Sequence, residues 1–313
     1  MTNNIEHLYI IGNGFDIFTG LKTRYLDFRW WLENNYIFVY EALSSVYGTD
    51  GEWWNDFESQ LGKLNVEQYI SDYTPKFQSI DELTKKIREN REFEKNNNLP
   101  HNVLFSNPCS SRLKGLLDIL HYCFEKWVQS VQNSFTNPKY THLESCNSFF
   151  INFNYTDTLE ALYNIPEERV IHIHGRASKH DHLIFGHNKH LFGDKKTGYE
   201  GEKVSEVLNQ YEKNPFMNIP NGLENIINRV KFIHVLGFSF SDVDMPYLDW
   251  IVENTGKDCK WEISWHSKED DKRINSFVFD RPSILKRVNR IQITEISSTD
   301  NEYIQNKFHF LKY

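Results

Sequence analysis

The stretch "LYIIGNGFDIFTG", residues 8–20, runs four strand-forming residues into two glycines set one residue apart, with an acid two places on. Leu8-Tyr9-Ile10-Ile11 has the unbroken apolar character of a strand buried on both faces. Glycine after such a strand adopts backbone angles barred to other residues and lets another group approach the backbone closely. A Gly-x-Gly turn that opens a helix suits a phosphate, because the N–H groups of the helix start point at it. The third glycine of that fingerprint is replaced here by Ile17, and a helical stretch takes the place of an acidic second strand. The alternative is a tight strand-to-helix turn with Asp16 as a cap. Either way, a strand followed at once by a helix predicts an α/β fold.

The rest of the chain extends that pattern. The 313 residues allow one large domain or two small ones. Charged residues make up 25 % and aromatic residues 15 %, as in a soluble globular protein. A net charge of −8 makes nucleic acid an unsuitable partner. The start, "MTNNIEHLYI", reads as no signal peptide. No apolar run approaches the roughly 18 residues of a membrane helix. Cys109, Cys123, Cys146 and Cys259 are scattered, so neither a zinc ribbon nor a disulfide framework is expected. A cytoplasmic location follows most simply.

Residues 24–47, 52–63, 80–97 and 111–135 read as helices. In the last, Leu113, Leu116, Leu117, Leu120, Phe124, Trp127, Val128, Val131 and Phe135 keep helical spacing. Trp53 and Trp54 read as core. From 148 onward strand and helix alternate. Strands are expected at 148–153, 170–175, 231–237, 260–267 and 290–296, with helices at 156–164, 223–230, 241–254 and 268–279. That alternation predicts a parallel sheet covered on both faces, with the first strand in it and the helical block inserted. Residues 1–23 and 145–313 then form the α/β domain, and 24–144 the helical insertion.

Ligands of such sheets bind beyond the carboxyl ends of the strands. The residues there are Gly12-Asn13-Gly14-Phe15-Asp16, Asn154-Tyr155-Thr156-Asp157, His174-Gly175, Gly237-Phe238-Ser239, and His266-Ser267. Gly12, Gly14 and Gly20-Leu21 keep the spacing of the sirtuin family's "GAGxSxxxGI" loop. Asn154-Tyr155 with Leu159-Glu160 is similar to "NYDxLIE", His174-Gly175 to the family's "HG", and Gly237-Phe238-Ser239 to its "GxS" strand end. The wording "IIGNGFD", "FNYT", "IHIHG" and "GFSFSDVDMPY" resembles the bacterial abortive-infection AbiH family of phage-defence proteins, with "WWNDFE" as its support in the insertion.

The resemblance implies a Rossmann-like, sirtuin-like α/β domain that takes NAD, or a related nucleotide, as substrate. It places His174 and Asn154 at the nicotinamide ribose, His174 as base and Asn154 as ribose or water ligand. Gly12, Asn13, Gly14, Phe15, Asp16, Arg24, Tyr155, Gly237, Ser239, His266 and Ser267 become the cofactor-binding set, with Arg24 a phosphate partner. Asp16 stands where the sirtuin loop has serine, and suits a ribose better than a pyrophosphate. Thr156 replaces the acid of "NYD", and the deacylase zinc module is absent, which argues against protein deacylation. Hydrolysis of NAD at the nicotinamide–ribose bond is the expected activity, without a metal. Two alternatives stay open: a nucleotide-binding sensor without turnover, and a metal-dependent hydrolase using His172 and His174, two apart on one strand face. His180, His182, His187 and His190 read as a solvated loop. Asp242 and Asp244 read as helix-start acids, with Ser241 as the cap. The insertion is left with trigger sensing or homo-oligomer formation.

Overall fold

A computed structural model describes residues 5–73, part of 85–97, 109–135, Leu143, 147–192, 197–213 and 219–292. The chain divides into two compact units. One comprises residues 1–24, 128–184 and 214–313, and the other residues 25–127 and 185–213.

The first unit is built on six parallel strands: β1 (His7–Ile11), β2 (Ser148–Asn152), β3 (Val170–His172), β4 (Phe232–Leu236), β5 (Lys260–Trp265) and β6 (Val288–Gln292). Their order across the sheet is β3-β2-β1-β4-β5-β6. The chain works outward from β1 to β3, then returns to the other side of β1 for β4. Both faces of the central strands are covered, which explains the unbroken apolar runs. Leu8 and Ile10 pack on one side with Ile151, Ile233, Val235, Tyr247 and Phe277. Tyr9 and Ile11 pack on the other with Phe15, Phe150, Leu159 and Leu236.

Register brings the strand ends level. Ile11 lies opposite Asn152 and Leu236, and Asn152 lies opposite His172. Gly12, Phe153, Ile173 and Gly237 therefore leave the sheet together. The connecting helices of this unit include Asn13–Phe18, Thr158–Tyr163, Glu224–Ile227, Met245–Asn254 and Lys268–Phe279. The final strand is expected at 290–296 but starts at Val288, and its expected end lies outside the described residues.

The second unit is helical. Phe28, Trp54, Phe57 and Phe124 are fully buried, and Trp54 stacks on Phe57 with ring centroids 5.5 Å apart. The expected tryptophan core is thus present. The long helix runs over Cys109–Gln132 and ends before Phe135. Residues 80–97 are only partly described. Helix Gly198–Asn209 lies in a segment that the sequence pattern passes over. Cys109, Cys123 and Cys259 are buried free thiols, while Cys146 lies outside the described residues. Among the described residues, no helix is long and apolar enough to cross a membrane.

Candidate functional site

The turn after β1 needs its glycines for a contact within the protein. A Cβ on Gly12 would sit 2.6 Å from the Cα of Phe238, and one on Gly14 2.7 Å from the carbonyl oxygen of Gly237. Gly237 adopts φ +62°, and a Cβ there would meet the Phe15 nitrogen at 2.1 Å. Three glycines from β1 and β4 thus allow two backbones to touch. The N–H of Gly12 donates to the Leu236 carbonyl at 3.0 Å, and that of Gly14 to the Gly237 carbonyl at 2.7 Å. The N–H of Phe15 donates to the Gly12 carbonyl at 2.9 Å. These amides are therefore occupied, and the turn does not present the row of N–H groups expected of a phosphate cradle.

Asn154 reaches into the same knot. Its Nδ2 donates to the Gly12 carbonyl at 3.2 Å. Its backbone N–H donates to Asn152 Oδ1 at 3.0 Å, so the buried strand-end asparagine shapes the turn that carries Asn154. Asp16 is 1 % exposed. Its Oδ2 accepts from Thr156 Oγ1 at 2.5 Å, and Thr156 Oγ1 lies 2.9 Å from Thr158 Oγ1. Burial pushes the Asp16 carboxyl up from its ordinary 3.8 to about 6, against the pull of the Thr156, Thr158 and Asn154 side chains.

His174 is 1 % exposed. Its Nδ1 lies 3.3 Å from the Phe153 carbonyl and its Nε2 3.4 Å from Asp244 Oδ1. Tyr155 stacks on the ring at 5.9 Å, while Phe153 and Tyr247 meet it edge-on. Tyr155 is held in turn by its hydroxyl, which donates to the Ile184 carbonyl at 3.1 Å. Asp244 takes the cap position of helix Met245–Asn254, yet its side chain makes no cap bond and faces His174 instead. Ser241 is thus not that helix's cap.

β3 stops at His172, so the alternation that would place His172 and His174 on one face does not continue. His172 Nε2 bonds Glu160 Oε1 at 2.8 Å, and its Nδ1 lies 3.2 Å from the Asn154 carbonyl. The two histidines thus use different acids. Asp157, Glu160 and His172 do bring ligand-type atoms within 4.8 Å of one another, as a metal site would. Arg176 already lies across that cluster, its Nε 2.8 Å from Asp157 Oδ1 and its Nη1 3.8 Å from Glu160 Oε1. The guanidinium supplies the positive charge that a cation would bring.

The remaining expected ligands are dispersed. Asn13 Nδ2 donates to the Thr23 carbonyl at 2.7 Å and so clasps the loop after the first helix. Phe15 is core, 5.4 Å from the Tyr163 ring. Arg24, Ser239 and His266 are exposed. The Ser239 carbonyl accepts from Arg273 Nη1 at 3.2 Å. Ser267 forms a reciprocal capping box with Asp270 at the start of helix Lys268–Phe279. His180, His182 and His190 are exposed as expected, but His187 is buried in the helical unit and bonds the Leu208 carbonyl at 2.9 Å.

Asp244, Asn152 and Ser264 belong to the site although sequence reasoning gave them no part in it, and Thr156, expected at this edge, bonds Asp16. Ser264 Oγ accepts from the Gly237 N–H at 3.0 Å. The available signal was position for Asn152, which ends β2, and for Ser264, which stands one residue before the end of β5. The model of the family described as bacteriophage abortive infection AbiH matches residues 8–265. No curated protein sequence matches the chain.

Proposed function

The chain belongs to the bacteriophage abortive infection AbiH family, which points to a role in abortive infection, and on that premise we propose that it acts there by hydrolysing NAD at the nicotinamide–ribose bond. The fold proposed with this reading is Rossmann-like and sirtuin-like. Its support is the strand order β3-β2-β1-β4-β5-β6, the order of doubly wound dinucleotide-binding sheets. In such sheets the ligand lies where the chain reverses, here between β1 and β4.

The carrying observation is the convergence of Asn154 on the Gly12 carbonyl with the His174–Asp244 pair one residue away through Phe153. In the proposed reaction water attacks C1′ of the ribose. The C–N bond to nicotinamide breaks, and its electron pair stays on the ring nitrogen. His174 takes the proton from the attacking water, and Asp244 balances the imidazolium that forms. Nicotinamide, ADP-ribose and one proton are released. Asn154 holds a ribose hydroxyl. A cytoplasmic setting supplies the NAD, and loss of that pool would stop phage growth.

The burial of Asn154 and His174 favours a second reading, a nucleotide-binding sensor without turnover. Nicotinamide release by the purified protein separates the two. His174→Ala is expected to lose at least about 10²-fold in turnover while NAD affinity stays within a few-fold, because a base acts mainly in the transition state. Asn154→Ala should lose turnover and some affinity, and both should abolish phage protection. Full turnover in a folded double variant removes the hydrolase assignment, and protection that persists without NAD loss selects the sensor.

A further inference from the structure

The ends of β1 and β2 bring together buried polar atoms that have one side of their hydrogen bonding fixed and the other unused. Asp16 Oδ1 and Asn154 Oδ1 are acceptors with no donor, and Asn152 Nδ2 is a donor with no acceptor. Their other atoms are committed: Asp16 Oδ2 to Thr156, Asn154 Nδ2 to the Gly12 carbonyl, and Asn152 Oδ1 to the Asn154 N–H. Buried polar atoms are rarely left in this state, and each one asks what completes it. Acceptors predominate here, and one belongs to a carboxyl group.

That composition discriminates between ligand groups. A pyrophosphate offers only acceptors and negative charge, so it would be repelled by Asp16 and would find one unused donor, Asn152 Nδ2. The Gly12 and Gly14 amides that might have met it are bonded to the Leu236 and Gly237 carbonyls. A vicinal diol offers two O–H donors on adjacent carbons, and each oxygen still accepts. Two acceptors beside one amide donor match that set.

We propose that Asp16 and Asn154 accept the hydroxyls of the ribose next to the scissile bond, with the Asp16 carboxylate supporting the positive charge that develops on that ribose. The inference rests on the NAD reading given above. Loss of nicotinamide gives C1′ oxocarbenium character, and a charged acceptor on the neighbouring hydroxyl strengthens its hydrogen bond as that charge grows. The hydroxyl proton stays on the ribose, and no bond to Asp16 is made or broken. Proton removal from water remains with His174. Asp16 thus fixes which sugar is accepted.

The test uses the full chain and the product pair ADP-ribose and ADP-2″-deoxyribose, neither of which is consumed. Calorimetry should show wild type binding ADP-ribose at least about tenfold more tightly than the deoxy form, as loss of a hydrogen bond to a charged group requires. Asp16→Asn, which keeps the shape, should bring the ratio below about threefold. A wild-type ratio near one, or an unchanged ratio in a folded Asp16→Asn, overturns the inference and leaves NAD hydrolysis standing. Absence of binding of ADP-ribose and NAD together with absence of nicotinamide release overturns the NAD reading itself, and this inference with it. The wild-type ratio decides alone if the variant does not fold.

Discussion

Asp16 carries a stability cost that a ligand-binding role would explain. Its folded-state pKa of about 6 stands above the ordinary 3.8, so the folded protein holds the proton more tightly than the unfolded chain does. Both states are protonated below about pH 3, and no penalty applies there. As pH rises from about 3 through 6 the unfolded chain ionises first and stability is lost, reaching a plateau of roughly 3 kcal/mol for a shift of two units. Asp16→Asn should therefore be more stable than wild type by about 1–3 kcal/mol at pH 7.5, with the gain vanishing near pH 3. Denaturant melts of both proteins across that range check the sign, and a loss at neutral pH would contradict it. Asp16 and Asn154 were legible in the sequence because they follow strand-like runs at once. Asp244 was not, because a carboxylate at a helix start serves the helix in one fold and a neighbouring loop in another. Only tertiary packing turns it toward His174 at 3.4 Å.

At the scale of elements, the β1 turn is governed by backbone contact, and two glycines separate contact from conformation. Gly237 combines φ +62° with a Cβ position 2.1 Å from the Phe15 nitrogen, whereas Gly20 has φ +97° and nothing within 4 Å. Gly20→Ala should cost about 1 kcal/mol, the strain of a left-handed residue. Gly237→Ala must in addition separate β4 from the turn, and should cost about 3 kcal/mol or more. Chemical melts rank the two, and equal costs would mean that the contact is dispensable. Ser267 behaves as a cap: Ser267→Ala should lose about 1 kcal/mol and leave nicotinamide release unchanged. The Ser-x-x-Asp signature of that cap was visible in the sequence, though a position at a strand end also suits a ligand. The strands themselves were legible from apolar runs, but their order was not, since it depends on which edge each connection crosses. Helix Gly198–Asn209 was hidden because glycines stand at 198 and 201 and its buried apolar residues reduce to Val204, Val207 and Leu208.

Across the whole molecule, the helical unit draws on sequence from between β1 and β2 and again from after β3. Residues 25–127 and 185–213 form it together, whereas a single inserted block at 24–144 was expected from the sequence. Only the histidine-rich stretch at 176–190 reads as a polar loop, and the remainder of 185–213 carries no assignment because the histidines, lysines and glycines of that segment outnumber its apolar residues. What ties this segment to its unit is partly ionic. Lys213 Nζ lies 2.8 Å from Glu58 Oε2, with the side chains 1 % and 6 % exposed. Glu58 belongs to the "WWNDFE" stretch, in which Trp53, Trp54 and Phe57 are buried as well. A buried pair of this kind offers little net stability over an apolar replacement, because both charges lose their water. Breaking it is different, since a buried charge then loses its opposite-charge partner at 2.8 Å. Lys213→Met should cost about 3–5 kcal/mol, whereas Glu58→Leu combined with Lys213→Met should recover most of that loss. Melting curves of wild type, both single variants and the double variant close the cycle. Additive single effects would show that the two groups do not act as a pair. Neither residue belongs to the strand-end site, so nicotinamide release per folded molecule should stay at the wild-type rate below the melting range. A loss of turnover in the stable double variant would instead give this pair a part in the reaction.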